Sequence, residues 1–379
     1  MATPIETLAT QPHNVRRDPD PRNSDPQTTV GTETASEHTV RVELVNRASV
    51  RMRVAHSVLK ATIRPFVDRY FALAENGPLR GARAFRLANF AEILAVPLIP
   101  PRGTLRRSVS FGRFRAEWLW HRDDPGPDAT GRGAILYLHG GAFTAGGLHS
   151  HRRLAARIAR ASGVALLNVD YRQLPKGHLL DSIDDAVTAY EHLLAQGFPP
   201  QRIAFAGDSA GGGLAFAAAL AVRERGLPMP AAIAAIAPYA DFDPATRAAH
   251  PNNERDAVLS AYSLSVPPSV GFAGDGRIDP RWSPVNHEFT GMPPALIQVG
   301  NTEVLLSDTE LLATRHAAAA VPLTVQIWDN AIHVFQAGAD LLPEARAAIA
   351  EIGAFVRGIL EAGGQAAAES TRTLDRGPA

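Results

Sequence analysis

Short apolar runs alternate with amphipathic stretches along most of the chain beyond residue 105. The apolar runs predict strands near 116–121, 134–138, 164–169, 203–207, 232–237, 295–299 and 323–328. Helical spacing of apolar residues predicts helices near 150–162, 181–196, 210–224, 308–319 and 339–361. This alternation is typical of an α/β protein with a mostly parallel sheet and helices on both faces. In such sheets, sites lie at the carboxyl ends of the strands.

The segment 46–104 precedes this alternation and has a helical pattern of its own. Apolar residues recur at helical spacing over 47–75, and Leu87, Phe90, Ile93 and Leu94 form a second, shorter stripe that ends at the prolines around Pro97. We expect these N-terminal helices to contribute to a cap. Because arginines interleave the first stripe, an amphipathic helix at a membrane surface remains the alternative interpretation of 47–75.

Residues 243–285 interrupt the alternation, and their position predicts an insertion that covers the site as part of the cap. The catalytic domain then spans 105–362, with this cap insertion inside it. Residues 1–45 and 363–379 contain few large apolar side chains that could offset the entropy of ordering. Both segments are predicted to be disordered.

The strongest chemical signal is the pentapeptide Gly207-Asp208-Ser209-Ala210-Gly211, which lies between an apolar run and an alanine-rich, helix-prone run. A strand, a sharp turn and a helix in this order present a serine hydroxyl at the end of a strand and at the N-terminus of a helix. The glycines fit a turn that leaves no room for a Cβ atom. Ser209 is therefore the candidate nucleophile.

A second loop, His139-Gly140-Gly141-Ala142, directly follows the predicted strand 134–138. Acyl transfer needs N–H donors for the oxyanion of the tetrahedral intermediate, and bare glycine backbone can approach a carbonyl closely. Gly140, Gly141 and the residue after the nucleophile, Ala210, are the candidate donors. On its own this segment is more typical of a plain Gly-Gly turn, so the case for an oxyanion loop depends on its occurrence together with Ser209.

The candidate base is His333, which lies in the loop after the last predicted strand and completes the chain order nucleophile, acid, base. Two acids follow the strand 295–299, Glu303 and Asp308. Glu303 lies in the loop at the end of the strand, whereas Ser307 and Glu310 have the spacing of a capping box that would make Asp308 a first-turn acid interacting with the helix dipole. We prefer Glu303 and keep Asp308 as the alternative.

The composition of the chain bears on its possible partners, its chemistry and its location. The formal net charge is zero, so nothing indicates a nucleic-acid partner. The chain has no cysteine, which excludes thiol chemistry and disulfides. The N-terminal residues resemble no secretory leader, and no apolar run is long enough for an integral membrane segment. We expect a cytoplasmic protein.

Together these motifs resemble the hormone-sensitive lipase family of α/β-hydrolases, in its bacterial esterase/lipase form, over roughly 105–360. The segments around His139 and Asp208 match the family's H-G-G-[GA] and G-D-S-A-G motifs, and the family's acid lies thirty residues before its histidine, the separation of Glu303 and His333. Two departures are Ala142, where the family has glycine, and Lys176, where the family has glutamate.

The resemblance implies an α/β-hydrolase fold and a serine hydrolase acting on short- to medium-chain acyl esters through an acyl-enzyme. It implies no metal and no organic cofactor, a small-molecule substrate, and leaves a homodimer open. An acyltransferase or amidase with the same triad is the alternative enzyme. A catalytically inactive ligand-binding module is the alternative from another class, which the presence of His333 disfavours.

Overall fold

The computed structural model describes residues 39–78, 80–273 and 277–374. Within these residues, nine strands form one sheet in the order β1-β9-β8-β7-β6-β4-β5-β3-β2. The strands are β1 (Val40–Leu44), β2 (Thr104–Ser110), β3 (Arg115–His121), β4 (Ala134–Leu138), β5 (Ala165–Asp170), β6 (Ile203–Asp208), β7 (Ala232–Ile236), β8 (Ala295–Gly300) and β9 (Leu323–Trp328).

The sheet is parallel from β1 to β5, and β3 and β2 are added antiparallel at one edge. The central strands β4, β6, β7 and β8 are buried along their whole length. Strands buried on both faces have continuous apolar sequences, which is why these four were visible in the sequence. The mostly parallel α/β architecture predicted from the alternation is confirmed.

Helices α1 (Val50–Asn76) and α2 (Ala82–Phe90) precede β2 in the chain. Within the α/β alternation lie α3 (Leu148–Ser162), α4 (Leu179–Ala195), α5 (Ala210–Glu224), α9 (Leu306–Ala318) and α10 (Pro343–Leu374). Helices α3 and α10 pack against each other, as do α4 and α5. Three short helices lie in the insertion after β7: α6 (Ala245–Ala249), α7 (Asn252–Arg255) and α8 (Ala261–Pro267).

Two predictions at the ends of the chain are wrong, and one strand was missed. Residues 40–44, expected in the disordered segment 1–45, form β1, because the alternation of Val40 and Val42 with polar residues lets this segment extend the sheet beside β9. Strand β2 was not predicted because it is an exposed edge strand without a buried face. The tail expected to be disordered from 363 continues α10 to Leu374, in line with its alanine-rich sequence. The rest of the predicted disorder, 1–38 and 375–379, lies outside the described residues.

The insertion and α1 are joined by polar contacts. Arg64 on α1 donates to the carbonyl oxygens of Asn253 and Asp256 at 2.9 and 3.0 Å. Asp68 accepts from the hydroxyl of Ser260 at 2.5 Å, and Glu75 from that of Tyr262 at 2.7 Å. These bonds link the N-terminal helices to the segment that follows β7.

Two glycines of α10 test how closely this helix packs on α3. A Cβ atom on Gly353 would lie 2.5 Å from the carbonyl carbon of Ala161, whereas one on Gly358 would meet open space. We expect Gly353→Ala to destabilise the protein by about 1–3 kcal/mol through overpacking. Gly358→Ala should stabilise it by about 0.5–1 kcal/mol, because alanine has the higher helix propensity.

Denaturant unfolding of both variants measures the two changes in the free energy of unfolding. Equal effects of the two substitutions would contradict the close approach of α10 to α3.

Candidate active site

Ser209 occupies a sharp turn between β6 and α5. Its backbone has φ 53° and ψ −121°, a conformation that costs free energy for a residue with a side chain. The surrounding backbone holds the turn, because the Ser209 N–H donates to Ile236 O at 2.8 Å and Ser209 O accepts from Tyr239 N at 2.9 Å. The strained turn predicted from the sequence is present in this form.

The flanking glycines are required by close backbone approach. A Cβ on Gly207 would lie 2.5 Å from the carbonyl carbon of Gly211, and one on Gly211 would lie 2.5 Å from the carbonyl carbon of Leu138. Neither backbone neighbour can move without disturbing the sheet, so any larger residue would displace the turn. The glycine spacing thus brings β4, β6 and the start of α5 together around Ser209.

His333 and Glu303 approach Ser209 from the loops after β9 and β8. The Nε2 atom of His333 lies 2.9 Å from Ser209 Oγ, and its Nδ1 atom lies 2.7 Å from Glu303 Oε2. The other carboxylate oxygen of Glu303 accepts from Gly300 N at 2.7 Å. With Nδ1 protonated towards Glu303, Nε2 is free to accept the proton of the serine hydroxyl.

Burial and charge tune the pKa values of this pair. Burial raises the pKa of the Glu303 carboxyl above its ordinary range, although the hydrogen bonds from His333 and Gly300 oppose this shift. Burial alone would lower the pKa of His333, but the hydrogen bond to Glu303 and its negative charge outweigh that effect. The pKa of His333 is therefore raised. This direction is expected when a neighbouring carboxylate stabilises the protonated imidazolium.

Asp308, the alternative acid, has a different environment. It is completely buried and accepts hydrogen bonds from the N–H groups of Ala240 and Asp241, both at 2.9 Å. It also pairs with Arg247, itself fully buried, at 3.1 Å. The predicted capping box is wrong, since α9 begins at Leu306 and its N-cap has no side-chain hydrogen bond. Asp308 does lie in the first turn of α9, as expected, but a buried arginine and two loop N–H groups are its partners.

The loop after β4 contains the predicted oxyanion donors, and one of the three is not free. The N–H of Gly140 donates to Asp208 Oδ1 at 3.1 Å. Gly141, Ala142 and Phe143 all have positive φ, at 121°, 52° and 58°. In the described structure no hydrogen-bond partner within the protein occupies the N–H groups of Gly141, Ala142 or Ala210. Gly140 is thus a less suitable donor than expected, and Ala142 is a further candidate donor that the sequence analysis did not include.

Asp208 is the centre of a buried hydrogen-bond network beneath this loop. Besides Gly140 N, it accepts from the hydroxyl of Tyr137 at 2.6 Å and lies 3.3 Å from His151 Nε2. Burial would raise the pKa of Asp208, but the charge of His151 lowers it overall, and the carboxylate in turn raises the pKa of His151. Because the chain has thirteen histidines, nothing in its sequence marks His151 for this role.

His139, the first residue of the motif, supports the loop from below. It is fully buried, its ring stacks on Tyr171 with centroids 4.4 Å apart, and its backbone oxygen accepts from the Tyr171 hydroxyl at 2.7 Å. The ring therefore takes part in positioning the loop and not in contact with the nucleophile.

The insertion after β7 binds the loop of Glu303 directly. Asn252 Nδ2 donates to Glu303 O at 2.9 Å, and Asp256 accepts from Val304 N at 2.7 Å. On the same loop, Thr302 Oγ1 lies 3.1 Å from Nε2 of His56 on α1. Sequence analysis did not identify these residues, because backbone contacts of this kind require no recognisable motif.

Among the residues that the structure describes, no cluster of three or more His, Cys, Asp or Glu side chains is arranged to hold a metal ion. Among the same residues, no helix is both long enough and apolar enough to cross a membrane.

The structural role of Asp308 can be distinguished from that of Glu303 by measuring the free energy of unfolding. Asp308→Asn should lower the free energy of unfolding by about 3–5 kcal/mol, because it leaves the buried Arg247 without its counter-charge. Combining Asp308→Leu with Arg247→Met should recover part of that loss, since a buried ion pair replaced by apolar side chains of similar size is often tolerated. Denaturant unfolding provides the measurement, and a native-like free energy for Asp308→Asn would contradict the structural role.

Comparison with known proteins agrees with this geometry. Residues 135–337 match the family model described as the alpha/beta hydrolase fold. The chain is 39% identical to an acetyl-hydrolase of Streptomyces hygroscopicus over 66% of this chain and 81% of the relative. It is 37% identical to the esterase LipU of Mycobacterium tuberculosis over 69% of this chain and 89% of the relative.

Solved structures give the same result. The crystal structure of EstE5 soaked with p-nitrophenyl butyrate superposes with a TM-score of 0.72 at 31% identity, over 83% of this chain and all of EstE5. An esterase described as belonging to the bacterial hormone-sensitive lipase family gives a TM-score of 0.70 at 31% identity, with the same coverage. The chain belongs to the α/β-hydrolase family, in its hormone-sensitive lipase branch.

Proposed function

We propose that this protein cleaves carboxylic esters with short- to medium-chain acyl groups, through a covalent acyl intermediate on Ser209. Carboxylesterase-type hydrolysis follows from the family and from the esterases that resemble the chain. The proposal adds the acyl-chain range, the acyl-enzyme intermediate and the role of each residue to this family-level activity. The continuous chain of hydrogen bonds from Ser209 through His333 to Glu303 is the observation that carries the proposal.

In the first step, Ser209 Oγ attacks the ester carbonyl while His333 Nε2 accepts the hydroxyl proton. The carbonyl π electrons move to the oxygen, and the resulting oxyanion is bound by the free N–H groups of Gly141, Ala142 and Ala210. Ala210 is the first residue of α5, so the positive end of the helix dipole also faces the new charge. His333 then gives its proton to the leaving alcohol as the C–O bond breaks.

In the second step, water takes the place of the alcohol. His333 accepts a proton from the water as its oxygen attacks the acyl carbon, and the same N–H groups bind the second oxyanion. Collapse of this intermediate breaks the bond to Ser209 Oγ, which regains a proton from His333. Glu303 holds the imidazole in one tautomer and balances its charge in both steps.

The expected acyl-chain range is supported by an aromatic cluster beside the nucleophile. Phe143 follows the oxyanion loop, and its ring lies 6.0 Å from that of Phe242 and 5.7 Å from that of Phe272, between centroids. Tyr239, whose N–H binds Ser209 O, lies 5.0 Å from Phe242. These rings are buried and pack against one another, which favours small acyl groups on that side.

We also propose that the N-terminal helices and the insertion 243–285 together form a single cap over the substrate site. The hydrogen bonds between α1 and the insertion, and those from the insertion to the Glu303 loop, support this cap. A cytoplasmic location and a homodimer stay predictions from the sequence.

The nucleophile is tested by Ser209→Ala. This change should lower kcat for p-nitrophenyl acetate and butyrate by about 10⁴-fold or more, because only the oxyanion donors and substrate binding remain. A fluorophosphonate probe should label the wild-type protein at Ser209 and leave the variant unlabelled. Ser307→Ala, which changes a buried serine outside the site, should retain labelling and turnover. Appreciable turnover by a folded Ser209→Ala protein would refute the assignment.

The acyl-chain range is read from the same assay with a homologous series of p-nitrophenyl esters. The proposal expects kcat/KM to peak among the short and medium chains and to fall for long chains. A product assay with an added alcohol distinguishes hydrolysis from acyl transfer.

The acid is tested by the pH profile of Glu303→Gln. Only neutral His333 can accept the serine proton, so kcat/KM of the wild type should fall as the pH drops through the raised pKa of His333. Glutamine removes the negative charge that raises this pKa, so the acid limb should move to lower pH by about one unit or more. Turnover should also decrease by about 10²–10⁴-fold. An unmoved limb in Glu303→Gln, with a shift in Asp308→Asn instead, would exchange the two roles.

A further inference from the structure

The segment that follows α2 exposes an apolar surface. Nine of the ten residues 90–99 are nonpolar, and Glu92 is the exception. Six large side chains of this segment, which we call the apolar strip, are between 45% and 77% exposed: Phe90, Ile93, Leu94, Val96, Leu98 and Ile99. A contiguous exposed surface of this kind marks an interaction site in a folded protein.

The strip is not a loose loop. Glu92 Oε1 accepts from the N–H groups of His149 and Ser150 at the start of α3, at 2.5 and 3.1 Å. The side chain of Asn89, just before the strip, donates to Thr144 O at 2.9 Å and to Leu174 O at 2.7 Å. The side chains of Asn89 and Glu92 thus face the body of the protein, while the large apolar side chains of the strip face outward.

The net charge of the segment that contains the strip indicates an anionic partner. The segment 46–104 has ten basic and three acidic residues, a net charge of +7 in a chain whose total is zero. All three acids are bound within the protein, Asp68 by Ser260, Glu75 by Tyr262 and Glu92 by the start of α3. Nine of the ten basic residues are exposed, among them Arg80, Arg83, Arg86 and Arg102 on either side of the strip.

A cavity of about 390 Å³ begins where the strip ends, with Pro101 and Arg102 in its wall. Arg157, Arg160 and Arg346 also line this cavity. Arg157 pairs with Asp340, and Arg160 with Asp124, yet the Nη1 atom of Arg157 is buried without a hydrogen-bond partner. An anionic group in the cavity would balance the excess of arginines in its wall.

We propose that the strip and its arginines dock this protein onto the surface of a membrane that contains anionic phospholipids. The apolar side chains enter the interface, and the arginines bind the phosphate groups, with the cavity accepting one of them. A second copy of the chain fits less well, because the two like-charged faces would repel each other. The docking does not depend on the proposed function, since none of its residues takes part in the triad.

The test uses the full chain with the Ser209→Ala change, so that lipid is not consumed. Co-sedimentation measures its binding to vesicles of phosphatidylcholine alone and of phosphatidylcholine mixed with phosphatidylglycerol. We expect clear binding to the mixed vesicles, weaker binding to the neutral ones, and loss of the difference at high salt. Wild-type protein should bind mixed vesicles of non-hydrolysable ether lipids equally well, which separates docking from catalysis.

Two variants locate the surface. Leu94→Asp with Ile99→Asp should weaken binding to both kinds of vesicle by about tenfold or more. Arg83→Gln with Arg86→Gln should weaken binding to the mixed vesicles by roughly fivefold per residue and leave the neutral ones nearly unaffected. Leu180→Asp and Arg281→Gln, which change an exposed leucine and an exposed arginine elsewhere, are the matched controls.

Three results would overturn the proposal: no binding to either vesicle, equal loss of binding in the controls, or a dimer in light scattering that the strip variants dissociate without any vesicle binding. Turnover of p-nitrophenyl acetate by each variant in the Ser209 background shows that the fold is retained. A variant that loses this turnover is replaced by the milder Leu94→Ser with Ile99→Ser, for which the same expectation holds.

Discussion

The buried carboxylate of Asp208 joins the two halves of the site. It directly precedes Ser209, and through Gly140 N it also binds the loop that provides the oxyanion donors. A buried charge is tolerated only with partners, and the hydroxyl of Tyr137 and the ring of His151 supply them. The position of the nucleophile relative to the donors is thus set by one side chain. Because this bond occupies Gly140 N, the N–H groups left as candidate oxyanion donors lie one residue further along the loop, at Gly141 and Ala142.

Much of this arrangement could be predicted from the sequence, because local steric requirements and burial restrict which residues can occupy a position. The turn at Ser209 requires glycine where β4, β6 and α5 approach each other, and that requirement appears as the Gly207 and Gly211 spacing. Buried parallel strands appear as apolar runs. Glu303 and His333 were found from their places after β8 and β9, since all catalytic loops of such a sheet leave from one edge.

The features that sequence analysis missed depend on long-range pairing. Strand β1 is stable only beside β9, which lies far from it in the chain, so its short alternating sequence was not distinguishable from polar surroundings. Asp308 has the sequence context of a helix-capping acid and becomes the partner of Arg247 only when the insertion folds against α9. In the same way, His151 is one of thirteen histidines until α3 brings it to Asp208.

The insertion after β7 and the segment around α2 contact the candidate site in two different ways. On the side of the acid, Asn252 and Asp256 bind the backbone of the Glu303 loop, so movement of the insertion there would disturb the triad. On the side of the oxyanion loop, Asn89 and Glu92 bind the backbone at Thr144 and at the start of α3. The apolar strip is therefore held next to the loop that contains the candidate oxyanion donors. Exposed apolar residues on a flexible loop would be expected to collapse onto the protein, whereas these polar anchors keep the large side chains outward and next to the site.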